Sequence, residues 1–390
     1  MRTSEIVISP EFSLTAEVPN SVVFMYSPQV IRLTCNSSVV PASASVTVKS
    51  NSNYQRHTET RDFGIQSGTY TVYFEIGRIM RLLASDVRLL TQRLNKDSDY
   101  YQDLTEIFDV SVTVTASNGV VYDLFGGPLN LRAFYGALDQ CEEYGGTERK
   151  RLWLNYPQTF TIWKDVTTSV FITIGGETIT PWANPENYQV GEFDMVARLK
   201  ELGKYDTLAS FKPGTPVAAT MTWGPRIKFG HAGTGFRKNL FLTPDDTALG
   251  EGTYLRWLNR HGGMSYWLFV NSSISVAAKA DKAVEKPYNN DPTVPSFSLL
   301  MNSRSQSFRE SREIVLGAVG VTNEEFEDLC GLATSPVVDR LILPEYEGEY
   351  IWQRVNVLSG TFERNIRRNT PSLQDFEVVI ELPERNTIKI

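Results

Sequence analysis

Histidine is nearly absent: His57, His231 and His261 are the three in 390 residues, and none lies within five residues of another His or of a Cys. Metal-ligand spacing is therefore missing. Cysteine is equally sparse, and Cys35, Cys141 and Cys330 are odd in number and far apart. That excludes a disulfide framework or a zinc ribbon and predicts three buried thiols. No apolar run approaches the ~18 residues a spanning helix needs. The first twenty residues lack the basic flank, apolar stretch and small cleavage-site residues of a leader, so neither membrane insertion nor export by that route is expected. Basic excess is missing too. With 38 Lys and Arg against 45 Asp and Glu, the net charge of −7 argues against nucleic acid as a partner, since such binding rests on neutralising phosphates.

What is present is enough apolar and aromatic sequence, in a chain long enough, for two or three packed domains. From Ser21 to about Trp182 short alternating segments separated by polar turns predict an all-β region. Val110, Val112 and Val114 alternate before Ser117-Asn118-Gly119, and Val120 to Leu124 returns; Asn-Gly favours the hairpin turns that match strand twist. A second hairpin is expected from Val170–Ile174 through Gly175-Gly176 to Thr178–Thr180, with further strands at Ala44–Lys49 and Thr69–Ile76. A β-sandwich-like domain over 1–182 accommodates them. One helix is expected near Ile79–Leu94, with Ile79, Leu82, Leu83, Leu90 and Leu94 on one face.

Residues 183–295 are richer in Gly, Pro and charge. They predict an irregular region with a short helix over Glu192–Gly203, a linker at 279–295, and between them an aromatic helix–strand unit at 253–270. In that unit, GTYLRWLNRHGGMSYWLF, Thr253 is an N-cap candidate, and Tyr254, Trp257, Leu258 and His261 recur at helical spacing. Gly262 and Gly263 supply a stop. The strand after it, with Tyr266, Leu268 and Val270 alternating with Trp267 and Phe269, is apolar on both faces. Such a strand is covered on both sides, as the core of a domain or as part of an assembly interface.

The segment 296–390 predicts a small α+β module. Thr322 and Glu325 form a Thr-x-x-Glu capping box for a helix carrying Phe326, Leu329, Cys330 and Ala333 on one face, and Ser335-Pro336 stops it. Strands follow at Val337–Leu343, Tyr350–Leu358 and Gln374–Leu382. The order helix, stop, apolar strand at 253–270 and again at 322–343 suggests two related modules. The fold class expected is thus mainly β with α+β parts: a sandwich-like amino-terminal region followed by one or two small α+β modules.

Chemistry is harder to find. Gly230-His231-Ala232-Gly233-Thr234-Gly235 resembles a phosphate cradle but lacks the Gly-Lys-Ser/Thr ending, so it reads as a loop. Asp245-Asp246 reads as a turn and Glu324-Glu325 as a complement to a helix N-terminus; neither pair has an evident partner for general acid and base work. The sequence offers no catalytic, cofactor-binding or metal residues, and no cofactor is expected. Arg364, Arg367 and Arg368 make one compact basic cluster, either an exposed loop or a patch facing an acidic neighbour. With Trp257 and Trp267 they are the candidate assembly contacts.

GTYLRWLNRHGGMSYWLF, EIVLGAVGVTNEEFEDLCGLATSPVVDRLIL, IWQRVNVLSGTF and NTPSLQDFEVVIEL together resemble the tail structural proteins of phages and prophages of Bacteroides-type bacteria. The resemblance covers about Gly252–Phe269 and Arg312–Pro383. It implies a distal-tail, baseplate or adaptor component that forms a symmetric homo-oligomeric ring and docks other tail proteins in the virion, without catalysis. A glycan-binding module is the alternative: Trp153, Trp163, Trp182 or Trp223 would stack on a host surface glycan. A polysaccharide hydrolase would need two carboxylates facing across a cleft, which sequence does not locate.

Overall fold

The computed structural model describes residues 2–9, 12–35, 40–66, 68–84, 105–136, 146–163, 170–174, 177–182, 190–201, 203, 214, 217–223, 226–228, 231–233, 236–260, 262–280, 283–285, 303–305, 308–342, 351–358 and 373–383. The chain forms two compact units, Met1–Leu249 with Leu258–Ser265, and Gly250–Trp257 with Tyr266–Ile390. It is mainly β, with three helices among the described residues.

In the first unit, β1 (Arg2–Ser9), β2 (Phe12–Val18), β3 (Val22–Phe24), β4 (Val30–Cys35), β5 (Pro41–Ser50), β6 (Arg56–Asp62), β7 (Gly64–Gln66) and β8 (Thr69–Glu75) lead into α1 (Ile76–Leu83). Next come β9 (Thr105–Ala116), β10 (Val121–Asp123) and β11 (Leu129–Phe134). Two sheets result, in the orders β1-β2-β4-β8-β7 and β3-β11-β9-β5-β6, with β10 on β9. Each buries one face. Leu14, Ala16 and Val18, Ile31 and Leu33, and Val110, Val112 and Val114 are buried, while their neighbours in sequence are half-exposed, as a period of two requires. The sheets touch where Phe12 meets Tyr122, ring centroids 5.7 Å apart, and where Arg61 donates to the Tyr73 carbonyl at 2.9 Å.

The Asn118-Gly119 hairpin forms as its turn chemistry predicts. Gly119 has φ +82°, Asn118 Oδ1 accepts the Val120 amide at 3.0 Å, and β10 pairs antiparallel with β9. The expected helix starts three residues early, at Ile76, because the Glu75 carboxylate accepts the Arg78 amide and caps it. Ile79 and Leu83 face inward with Ile76 and Met80, but Leu82 is 70% exposed; Leu90 and Leu94 lie outside the described residues.

The rest of the first unit contains β12 (Gly146–Trp153), β13 (Thr159–Trp163), β14 (Val170–Ile174), β15 (Glu177–Trp182), β16 (Val190–Asp194), α2 (Met195–Glu201), β17 (Val217–Trp223), β18 (Arg226–Lys228), β19 (His231–Gly233) and β20 (Phe236–Asp245). A sheet in the order β12-β20-β17-β14-β15 forms, with β12 parallel to β20; β13 pairs β16 and β18 pairs β19. The second predicted hairpin is β14–β15. The helix expected from Glu192 starts only at Met195. Glu192 pairs Thr161 in β16–β13, and Asp194 Oδ1 accepts the Ala197 amide at 2.9 Å to begin the helix.

The second unit holds β21 (Thr253–Leu258) up to Trp257, β22 (Met264–Phe269) from Tyr266, β23 (Asn271–Ala280), β24 (Ala283–Glu285), β25 (Ser303–Ser305), β26 (Phe308–Val321), α3 (Asn323–Thr334), β27 (Val338–Ile342), β28 (Ile351–Arg354), β29 (Asn356–Val357) and β30 (Gln374–Leu382). Its sheets run β22-β21-β27-β28 and β23-β26-β30-β29, with β24 on β25.

The helix expected at Thr253–His261 is overturned. Thr253–Leu258 is a strand, and Gly262, with φ +81°, sits in the tip of a hairpin closed by Asn259 N to Gly263 O at 2.8 Å. The suggested repeat falls with it, because a helix precedes the apolar strand only at 323–342. The start of the expected linker is also strand: β23 reaches Ala280 and β24 spans Ala283–Glu285. The capping box forms as read, Thr322 Oγ1 accepting the Glu325 amide and Glu325 accepting the Thr322 amide. The helix's buried residues are Phe326, Leu329 and Leu332; Cys330 and Ala333 are half-exposed.

Candidate functional site

Glu106, at the start of β9, is fully buried in the first unit. Its Oε1 accepts from Ser50 Oγ at 2.6 Å and from Ser52 Oγ, and its Oε2 accepts from Tyr135 OH at 2.9 Å. Three hydroxyls on one carboxylate satisfy a charge that burial would otherwise make costly. They tie the β5–β6 turn and the end of β11 to β9. Tyr135 and Gly136 in turn lie under the hairpin tip. A Cβ on Gly136 would stand 2.8 Å from the Arg260 carbonyl, and one on Gly262 would stand 3.1 Å from the Tyr135 carbonyl. The cluster therefore anchors a close backbone approach that glycine permits.

The second unit has its own buried ionic row. Register sets Arg256 of β21 opposite Asp339 of β27, and Asp339 opposite Arg354 of β28. Asp339 accepts from Arg256 Nε at 3.0 Å on one oxygen and from Arg354 Nε at 2.7 Å on the other. The Arg256 guanidinium lies 4.2 Å from the centroid of Trp352, whose ring packs with Tyr254 and Tyr266 at 6.0 and 6.3 Å. A cation on an aromatic face, paired with a carboxylate, is a packing device for a charge inside a sheet.

Of the predicted assembly contacts, Trp257 and Trp267 are 0% and 6% exposed. Both rings are covered by this chain, and Trp257 Nε1 faces Gly331 of α3, where an added Cβ would stand 3.5 Å away. All six residues of β21 and all six of β22 are buried, so the cover expected on both faces holds for Tyr266 to Phe269, whereas Val270 lies beyond the strand and is exposed. Arg364, Arg367 and Arg368 lie outside the described residues. Trp153 is buried, and the side chains of Trp163, Trp182 and Trp223 are outside the described set, as is Cys141.

The exposed strand β23 has no counterpart in the sequence reading. Its ten residues pair with Gly317 to Phe308 of β26 without a register break, and Asn271 to Ala277 are all exposed. Ile274, Ile314 and Ile380 stand side by side in one row across β23, β26 and β30. Ile380 and Ile314 are 0% and 1% exposed, and Ile274 is 65% exposed. The apolar face of this sheet thus runs out from under its cover at the last strand. The sequence signal was available: Ser-Ile-Ser-Val alternates, but it stands beside a sequence of greater apolar weight.

Asp194 is the described carboxyl most displaced from its usual range. Burial pushes it up to about 6, against the opposing pull of the amides it accepts from. Among the described residues no group of three or more His, Cys, Asp and Glu is arranged to hold a metal ion, and no helix is long and apolar enough to cross a membrane. No family model and no curated protein matches the chain.

Proposed function

We propose that this chain is a non-enzymatic structural component of a phage tail, of the distal-tail, baseplate or adaptor kind, which forms a symmetric ring and docks other tail proteins in the virion. The observation that carries this reading is a pair of unlike sheet edges, each with no further strand beside it among the described residues. β1 is the edge strand of the first sheet, with Thr3, Ser4, Glu5 and Val7 exposed, and β23 is the edge strand of the last, with both faces exposed. Open edges carry rows of backbone donors and acceptors that another chain completes. A subunit with two different such surfaces suits an assembly in which several neighbours are held at once. The resemblance of the segments at 252–269 and 312–383 to tail proteins supports the same reading. The buried charges support it as well, since Glu106, Asp339 and Arg256 all act on this chain's own groups.

The test is electron microscopy with light scattering of the purified chain, alone and mixed with the products of its neighbouring genes. Closed rings, or ordered association with tail-tube or baseplate proteins, are the expected result. Monomers or dimers that form no ring and associate with none of those proteins would overturn the reading, as would turnover of a polysaccharide abolished by one substitution.

A further inference from the structure

We propose that β23 pairs with β23 of a second copy of this chain, antiparallel about a two-fold axis that passes at Ser275, fusing two four-stranded sheets into one of eight strands. This goes beyond the ring reading, because a two-fold contact closes on itself and ring closure does not need it.

Four observations lead there. Among the described residues β23 has one neighbour, β26, so its outer edge presents unpaired backbone groups along ten residues. Of the devices that ordinarily block edge pairing it carries one, Lys279, its single charge, next to its C-terminal end; there is no proline and no bulge. Its apolar side chains are aligned with a core. Ile274 continues the buried Ile314–Ile380 row, and Val276, opposite Arg312, is 56% exposed on the same face.

The fourth is self-complementarity. A two-fold axis perpendicular to a sheet keeps each side chain on its own face, so residues facing across it have the same parity and the axis passes through a residue. Centred on Ser275, the match sets Ile274 against Val276 of the other copy, twice. Ser272 then meets Ala278, Ser273 meets Ala277 and Lys279 meets Asn271. No like charges oppose each other, and the Ile380–Ile314–Ile274 row of each copy gains one apolar neighbour, Val276 of the other, before the row reaches Arg312. A second copy therefore completes the edge and sets the exposed Ile274 and Val276 beside apolar side chains in one contact, which is why it is the occupant proposed.

The full chain is tested by oxidative cross-linking. Cysteines facing one another across an antiparallel pair stand about 4.5–5.5 Å apart at Cβ, close enough to bridge with slight adjustment. Ser275→Cys, beside the axis, is expected to give a covalent dimer. Ser117→Cys, exposed in the β9–β10 turn, should give no more than the parent protein with its three native thiols. Adding Ile274→Lys to Ser275→Cys should abolish the dimer while leaving the melting temperature and circular dichroism unchanged, because Ile274 is exposed in the subunit. Equal cross-linking of Ser275→Cys and Ser117→Cys overturns the proposal. So does a chain that stays monomeric at all concentrations, or whose β23 is covered only when a different protein is added. A cross-linked dimer without any ring would uphold this contact and defeat the ring reading, so the two fail separately.

Discussion

One residue, Val270, separates two β segments with opposite fates. β21 and β22 are buried on both faces by their own chain; β23, which follows directly, is exposed on both faces from Asn271 to Ala277. The first is aromatic and holds the second unit together through Trp257, Phe269 and the Arg256–Asp339–Arg354 row. The second has small side chains and a single charge, Lys279, and lies open from Asn271 to Ala277. The contrast separates what folds the chain from what the chain offers to others. The strand whose apolar row is continuous with a core, yet lies outside it, is the one proposed above to meet a second copy.

Substitutions sharpen that contrast. Trp257→Ala should cost about 3–5 kcal/mol in chemical denaturation, since a wholly buried ring leaves a cavity. Val276→Ala on β23 should stay within about 0.5 kcal/mol in the monomer. Equal effects would erase the distinction. Asp339→Ala strands the buried Arg256 guanidinium and should cost a similar 3–5 kcal/mol or so. Arg354→Ala, removing the more exposed partner, should cost clearly less by the same measurement.

A pH effect of intermediate size is expected from Asp194. Its folded pKa of about 6 lies above the ordinary aspartate value of 3.8, so the folded state holds the proton more tightly than the unfolded state. Its contribution is fully present below about pH 4 and is lost as pH rises through about 6, on the order of 2–3 kcal/mol. Asp194→Asn, which keeps an acceptor for the Ala197 amide, should flatten stability between those values and leave the protein more stable at pH 7. A variant with unchanged pH dependence would show that Asp194 is not held proton-rich. A smaller effect is expected from Thr322→Ala, about 1 kcal/mol from the lost α3 cap, read as a shift in the denaturation midpoint.

Much of the fold was legible where local chemistry decides. Asn118-Gly119 dictates a hairpin, Thr322 with Glu325 dictates a helix start, and β30 occupies the predicted 374–382 because its alternation is clean. The aromatic segment was misread because an almost wholly apolar run satisfies two periods at once. Tyr254, Trp257 and Leu258 fit a helix, while Leu255 and Trp257 fit one face of a strand. Arg256, the one charge inside that strand, is paired with Asp339, 83 residues away, a contact that local spacing does not announce. The Glu106 cluster was invisible for the same reason. Its partners Ser50, Ser52 and Tyr135 are 56, 54 and 29 residues away, and only the folded register of β5, β9 and β11 unites them. The open edge was equally out of reach, because alternation announces a strand but not the side on which a neighbour is missing.

Hydrogen exchange measured over a dilution series tests the central claim most directly. The amides of β21 and β22 should be protected to the same degree at every concentration, and those of β23 that point away from β26 should gain protection as concentration rises. Exchange at β23 that is fast and independent of concentration would contradict it.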